Sequence, residues 1–466
     1  MLRELLTDQG LREEVSLMEE LDNLQEPSHC IREAQELAAE LYGADAAWFM
    51  VNGTTGAIHT MLLSVLSPGD VVLVPRNAHR SMLGGILLAG ARPVFLQPEL
   101  HEVYGIPLGL SAETVRKSIE EHPEAKALAV VSPTYYGVAS DLPAFARSAH
   151  EHGMLLLVDE AHGAHLRFSD KLPVSAMEAG ADLAAQSTHK LLGSLTQSSM
   201  LLGRRGRVDF ARVQTVAGML QSTSPNNLLL ASLDIARLQM AEEGRFRTER
   251  AVRLAEELRK EIKKIPGLDC LGRECVGKPG AADLDVTKLT VSVRGLGISG
   301  MEAETILRHR YKIQCELSDP CNILFIISVA DTEREAEKLL RGLRALAETA
   351  KGKERTVLPE MRLPAIPRQH LTPREAFWAK TETVRMKEAV GRVSAEQIVF
   401  YPPGVPVLCP GEEMNEDILR HIMQRKELGE KATGPEDASL ETLRVVCEPV
   451  YGVKDHEGQI NHHRSG

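Results

Sequence analysis

Apolar and polar positions fall in short blocks along the first half of the chain, and the blocks predict strand and helix in alternation. Residues 1–45 read as helical, with Ala34, Leu37, Ala38 and Leu41 on one face and a stop at Gly43. An apolar run, AWFMV, then ends in Asn52-Gly53-Thr54-Thr55-Gly56 and a helix begins. Ala57, Ile58, Met61, Leu62 and Val65 form its buried stripe, and Pro68-Gly69 terminates it. Unbroken apolar runs follow at 71–75, 93–96, 128–131, 154–158 and 183–186, with a helix predicted over 114–122. Runs of this length suit strands covered on both faces, and their alternation with helices predicts an α/β fold around a parallel sheet.

The second half is patterned differently. A long charged helical stretch runs from Asn227 to about residue 265, ends at Pro266-Gly267, and reads as a bridge out of the first domain. A smaller α+β unit is predicted from strands near 288–293 and 323–329 and helices at 300–310 and 332–349. The expected organisation is a helical segment at 1–45, a large domain at 46–226, a bridge and small domain at 227–350 and a Lys/Arg/Pro-rich linker at 351–370. A third unit at 371–452 opens with a helix at 373–387 and has another to about Leu428, and a disordered polar tail fills 453–466.

Composition narrows the class. At 466 residues two or three domains are expected, and 43% hydrophobic and 26% charged residues are ordinary for a globular protein. A net charge of -11 argues against a nucleic-acid motor, which carries a basic footprint. The first twenty residues hold acids throughout and no signal-peptide core, and no apolar run reaches the roughly 20 residues that span a bilayer. A cytoplasmic protein with no membrane partner is expected. The seven cysteines show no CxxC spacing, so reduced thiols are expected rather than zinc ligands or a disulfide framework, and no metal.

Candidate chemistry sits at the strand ends. The run at 154–158 places Asp159 at a carboxyl edge, where open α/β sheets bind ligands, and the run at 183–186 delivers Ser187-Thr188-His189-Lys190 to the same edge. A carboxylate and an amine facing one crevice suit pyridoxal 5'-phosphate, with Lys190 on the aldehyde and Asp159 on the ring nitrogen. They also suit a helicase-type ATPase, since the letters D-E-A-H fit both. The ATPase needs an upstream GxxxxGK[ST] phosphate loop, and the two Gly-Lys pairs, Gly277-Lys278 and Gly352-Lys353, are followed by Pro279 and Glu354 and lie downstream. The plain alternative is a helix-capping aspartate and a solvated lysine; the constellation favours the cofactor. Loops at 53–55, 77–79, 134–136, 159–162 and 187–190 should converge there. The helix start at Thr54-Thr55 is either a phosphate site or an ordinary N-cap.

With VNGTTGAIH, RNAHRS, SPTYYG, VDEAHGAH, QSTHKLLGSLTQSSML, STSP and FYPPGVPVLCPGE in this order, the chain resembles the ornithine/lysine/arginine decarboxylase family in its short form, from about Leu21 to Val446. The resemblance implies a fold-type-I pyridoxal phosphate-dependent large domain, a small α/β domain and a C-terminal α+β domain. It further implies a homodimer or an assembly of dimers, with sites at subunit interfaces. By resemblance Lys190 holds the aldehyde, Asp159 the ring nitrogen, and His79 stacks on the ring. Thr54, Thr55 and Ser187 bind phosphate, Ala161 packs beneath the ring, and His189 lies near the phosphate or the substrate carboxylate. Ser222 and Thr223 of a neighbouring subunit complete the phosphate site. Thr134 and Tyr135 are candidates for the cofactor hydroxyl, with a core role for Tyr135 as the alternative; for His79 the alternative is a satisfied loop histidine.

The activity so implied is decarboxylation of arginine, lysine or ornithine, with arginine ahead, in polyamine biosynthesis. Transamination or C-S cleavage with the same cofactor is the runner-up, and an idle scaffold is a further alternative. Two departures bear on turnover. The family's P-G-H-K-like segment before the first helix has no counterpart, so either the start is truncated or the mouth of the site is built differently. Asn226-Asn227 also stand where a serine-tyrosine pair is usual. A basic substrate needs a carboxylate partner for its distal charge. The expected partners are Glu412 and then Glu413, ahead of Glu316, the alternative being that the first two are acids at the start of the helix that follows.

Overall fold

The computed structural model describes residues 21–351, 362–400 and 405–447, together with Gly10, Arg12, Val15 and Met18. Helix α1 (Cys30–Tyr42) presents Ala34, Ala38, Ala39 and Tyr42 to the main core and stops at Gly43, whose φ of 67° lets the chain turn left-handed into the first strand. That strand is β1 (Ala46–Met50), followed by α2 (Gly53–Val65), β2 (Val71–Pro75), α3 (Arg80–Ala89) and β3 (Arg92–Leu96). Strands β4 (Ala127–Val131), β5 (Leu155–Asp159), β6 (Leu183–Gln186) and β7 (Ser199–Gly203) complete a seven-stranded sheet in the order β1-β7-β6-β5-β4-β2-β3.

The sheet is mixed where a parallel one was expected. Strand β7 runs antiparallel to both β1 and β6, while β6, β5, β4, β2 and β3 are parallel neighbours. The cause is the length of the connection. Between β6 and β7 lie twelve residues holding only a four-residue helix, Thr188–Leu191, and a turn, at the lower limit of the chain that a parallel crossover takes. The apolar positions of β4, β5 and β6 face two separate cores, one on each side of the sheet, as continuous apolar runs imply.

The bridge is one helix, α4 (Asn227–Ile262), whose first half packs on the large-domain core through Leu230, Leu233 and Met240. Its second half enters the small-domain core through Ala251, Leu254, Ala255, Leu258 and Ile262. There β8 (Asp269–Cys270), β9 (Lys288–Ser292), β10 (Leu317–Ser318) and β11 (Asn322–Ile326) form an antiparallel sheet in the order β8-β9-β11-β10. Helices α5 (Gly300–Ile306) and α6 (Glu333–Ala350) pack against it.

In the third unit the helix expected over 373–387 is a correction. The α-helix covers Pro373–Trp378, Thr381–Arg385 is a strand paired with Thr442–Val446, and a short 3-10 helix, Met386–Ala389, follows. Thr381, Thr383 and Val384 are β-branched and favour the extended chain. The helix reaching about Leu428 is α7 (Glu416–Glu427), capped by the Asn415 side chain accepting from the Ile418 amide. Part of the linker (352–361), residues 401–404 of the FYPPGVPVLCPGE motif and the tail expected over 453–466 lie outside the described residues. Among the described residues, no helix is long and apolar enough to cross a membrane.

Candidate active site

A cleft of ≈ 840 Å³ opens at the carboxyl ends of β4, β5 and β6, and Thr54, Thr55, His79, Tyr135, Asp159, Ala161, His162, Ser187, His189 and Lys190 all line it. Asp159 ends the central strand and is 3% exposed, and its Oδ1 accepts a hydrogen bond of 3.1 Å from the Ala161 amide. Burial pushes its carboxyl up to about 6, against the Ala161 amide and the charge of Lys190, which favour the anion. Lys190 projects from Thr188–Leu191, and its Nζ lies 2.8 Å from the Nε2 of His162 and 5.5 Å from the centre of the Tyr135 ring. Burial lowers the affinity of this amine for its proton and Lys288 adds to that, while Asp159 and Glu316 act the other way.

Hydroxyls gather at the start of α2. Thr54 Oγ1 is hydrogen-bonded to Ser187 Oγ and, at 2.9 Å, to Ser199 Oγ, so three elements of the large domain bring hydroxyls together. Asn52, at the N-cap, makes no side-chain cap; the Gly53 amide donates to the Gln197 carbonyl at 2.8 Å, and the amides of Thr54 and Thr55 are those placed for an external acceptor. His79 caps α3: its Nδ1 accepts from the Ser81 amide at 3.2 Å and is 2.8 Å from Ser81 Oγ. Burial, then the charges of Lys190, Arg80 and His59, push this imidazole down to about 4, so a neutral flat ring is presented to the cleft.

These features can be tested against pyridoxal phosphate. A carboxylate that burial leaves short of countercharge is suited to an N-H cation such as a pyridinium. The hydroxyl cluster at a helix N-terminus is suited to a phosphate, and the desolvated amine to an aldehyde. The donor set fits the group.

Other expected residues are placed less simply. His189 lines the cleft, but its Nδ1 donates to the Ser198 carbonyl at 2.8 Å, leaving only Nε2 for a ligand. Thr134 is 4% exposed and its Oγ1 accepts from the Val138 amide, so it closes a turn while Tyr135 faces the cleft. Ser222 and Thr223 are exposed and do not line this cleft.

Glu412 is a correction. It is fully buried, its Oε2 accepts from Arg76 Nη2 at 2.8 Å and from the Cys409 amide at 2.7 Å, and its Oε1 accepts from Arg76 Nη1. Both oxygens are thus taken by the strand end that follows β2, and no substrate cation can use them. Nor is it an acid of the α7 first turn, where Glu416 and Asp417 stand. Glu413 accepts from His370 Nε2 at 2.7 Å, also outside the cleft. Glu316, immediately before β10, is exposed, and its charge acts on Lys190.

Sequence reasoning gave no role to His162, although the loop 159–162 was placed at the site and an Asp-x-x-His spacing on a strand end was the available signal. Asp285 and Lys288, buried behind His162, had no such signal.

Comparison with known proteins agrees with this geometry. Residues 1–335 match the family model for the Orn/Lys/Arg decarboxylase major domain, and residues 357–444 that for the Orn/Lys/Arg decarboxylase C-terminal domain. The chain is 46% identical over 448 residues to an arginine decarboxylase of Halalkalibacterium halodurans and 44% identical over 447 residues to one of Bacillus anthracis, in each case over 96% of this chain and 91% of the relative. Among solved structures, the constitutive lysine decarboxylase of E. coli superposes with a TM-score of 0.82 at 22% identity, over 96% of this chain and 77% of that one. The large domain is thus of fold type I, with a small α/β domain and a C-terminal α+β unit beside it. The chain belongs to the Orn/Lys/Arg decarboxylase family, a family of pyridoxal phosphate-dependent amino acid decarboxylases.

Proposed function

We propose that this protein decarboxylates a basic amino acid, arginine ahead of lysine and ornithine, with pyridoxal 5'-phosphate as its cofactor. The observation that carries the reading is a buried carboxylate, Asp159, and a desolvated amine, Lys190, in one cleft beside the Thr54-Ser187-Ser199 hydroxyls. Arginine stands first because the relatives at 44% and 46% identity are arginine decarboxylases.

When bound, the cofactor supplies an electron sink for the pair left behind by departing carbon dioxide. The protein's part is to hold and to orient. Lys190 would hold the aldehyde, Asp159 would keep the ring nitrogen protonated, and His79 and Ala161 would pack against the ring. Thr54, Thr55 and Ser187 would donate to the phosphate, and His189 would offer Nε2 to it or to the substrate carboxylate. Tyr135 lines the same cleft. In a homodimer Ser222 and Thr223 would reach the phosphate of the neighbouring subunit's site. With Glu412 engaged elsewhere, Glu316 takes its place as partner for the distal charge of the substrate. The product amine would enter polyamine biosynthesis in the cytoplasm.

The test is release of carbon dioxide from arginine, lysine and ornithine by the cofactor-loaded protein. Carbon dioxide from one of them supports the reading. A keto acid without carbon dioxide would replace it with transamination.

A further inference from the structure

Behind the cleft lies a buried group of charges that the proposed chemistry leaves without a task. Lys288, the first residue of β9, has a side chain with no exposure, and its Nζ donates to Asp285 Oδ2 at 3.1 Å and to the His162 carbonyl at 3.4 Å. Asp285 is equally buried; its Oδ1 accepts from the Thr287 amide at 3.0 Å and hydroxyl at 2.6 Å, and its Oδ2 is 3.2 Å from His165 Nε2. Despite burial, Lys288 and His165 hold its carboxyl far below the usual range, so the aspartate is an anion facing an ammonium.

The group is fixed from both domains. Strand residues Asp283–Leu284 pair antiparallel with Val138–Ala139, and the Asp285 amide donates to the Gly137 carbonyl at 2.7 Å. Gly137 has φ of 86°, and a Cβ there would meet the Asp285 carbonyl and the Lys288 Cβ at 2.8 Å. The absence of a side chain at Gly137 is what allows the small-domain segment to close on the loop that follows β4. A lysine sequestered in this manner is costly unless paired, and the pairing here is made at the back of the residue that touches the reactive amine.

His162 Nε2 and Lys190 Nζ, at 2.8 Å, share one hydrogen bond, and the pair carries one proton or none. Other groups acting on it are Asp159 and Glu316, which favour a proton on Lys190, His79, which disfavours one on His162, and Asp285, which favours one on His162 and so opposes Lys288 there. We propose that Lys288, anchored by Asp285, is a positioning residue that fixes His162 against Lys190 and biases the pair to its proton-free state, in which Lys190 is a nucleophile. A fixed cation beside an amine is a known way to keep it neutral, and here the small domain delivers it. The inference rests on the decarboxylase reading only for the use made of the amine.

The test uses cofactor-free protein, so that it stands or falls apart from turnover. Lys190 modification by a small acylating reagent is followed by peptide mass spectrometry across pH 6–11, and His162 by nitrogen NMR. In the wild-type chain, His162 should remain neutral between pH 5 and 8, and Lys190 should react with a midpoint below the ordinary lysine value of about 10.4. In Lys288→Met/Asp285→Asn, which removes both charges, the Lys190 midpoint should rise by about one pH unit, and Lys288→Arg should restore it to within a few tenths. An unchanged midpoint in the double variant overturns the proposal. So does a wild-type His162 that titrates between pH 5 and 8, a result that needs no variant to fold. Failure of the decarboxylase reading would show instead as cofactor-loaded wild-type protein that releases no carbon dioxide from arginine, lysine or ornithine.

Discussion

Arg76 and Glu412 stand 336 positions apart in the sequence and meet in the interior through two hydrogen bonds between guanidinium and carboxylate. Arg76 Nη2 also donates to the Val407 carbonyl at 2.8 Å. The pair clamps the third unit onto the end of β2. Glu412→Gln should therefore unfold at lower denaturant, by about 3–5 kcal/mol, because it leaves a buried guanidinium without its counter-ion. Ratios of kcat/KM among arginine, lysine and ornithine should stay unchanged in whatever fraction is folded. A selective loss of binding for the basic substrates, with stability intact, would return Glu412 to substrate recognition.

Glu316→Gln should do the reverse. Removing an exposed carboxylate whose charge acts on Lys190 should raise KM for a basic substrate by about tenfold and leave stability within about 0.5 kcal/mol. Cofactor absorbance should be unaltered. Equal kcat/KM in variant and wild type would remove it from the substrate site.

Lys190→Ala should abolish the lysine adduct that borohydride traps in cofactor-loaded protein, as read by mass spectrometry. Asp159→Asn should still bind the cofactor yet lose at least about a hundredfold in kcat, because an amide cannot favour the protonated ring nitrogen.

Asp159 also makes a prediction about pH in cofactor-free protein. Its carboxyl, at about 6 in the folded chain, lies above the ordinary aspartate value of 3.8. The folded state therefore binds the extra proton between those values, and stability from this group falls as pH rises through that window. Cofactor-free Asp159→Asn should thus gain on wild type between about pH 4 and 6, reaching on the order of 3 kcal/mol at pH 7. Thermal unfolding of the two proteins across pH 3–8 measures the difference, which should vanish near pH 3. A constant difference across the range would mean that Asp159 is not desolvated as the structure has it.

How much of this was legible in the sequence depended on how local the cause was. Buried strands such as Leu183–Gln186 are short apolar runs bounded by polar residues, and their ends put Asp159 and Lys190 at one edge without any long-range knowledge. The antiparallel course of β7 was not legible from its apolar run, since an apolar strand reads the same in either direction. Thr381–Arg385 was misread as helix because it follows a true helix start, Thr372-Pro373, and because its partner strand lies at Thr442–Val446. Glu412 was misplaced for the same reason on a larger scale: a carboxylate near a helix gives no sign of a distant arginine. Asp285 and Lys288 carried no signal in the sequence, because their burial comes from two domains closing over them.

The hydroxyls of Thr54 and Ser187 bond each other, and Thr54 also bonds Ser199, whose own hydrogen goes to the Gln186 carbonyl at 2.6 Å. A phosphate entering there swaps neutral hydrogen bonds for charge-assisted ones of roughly twice the strength, and no donor has to be recruited from water. Capture of the cofactor is accordingly an exchange of partners within a finished cradle. A chain stripped of its cofactor should reload at a rate set by diffusion and by the chemistry at Lys190, with no slow refolding phase.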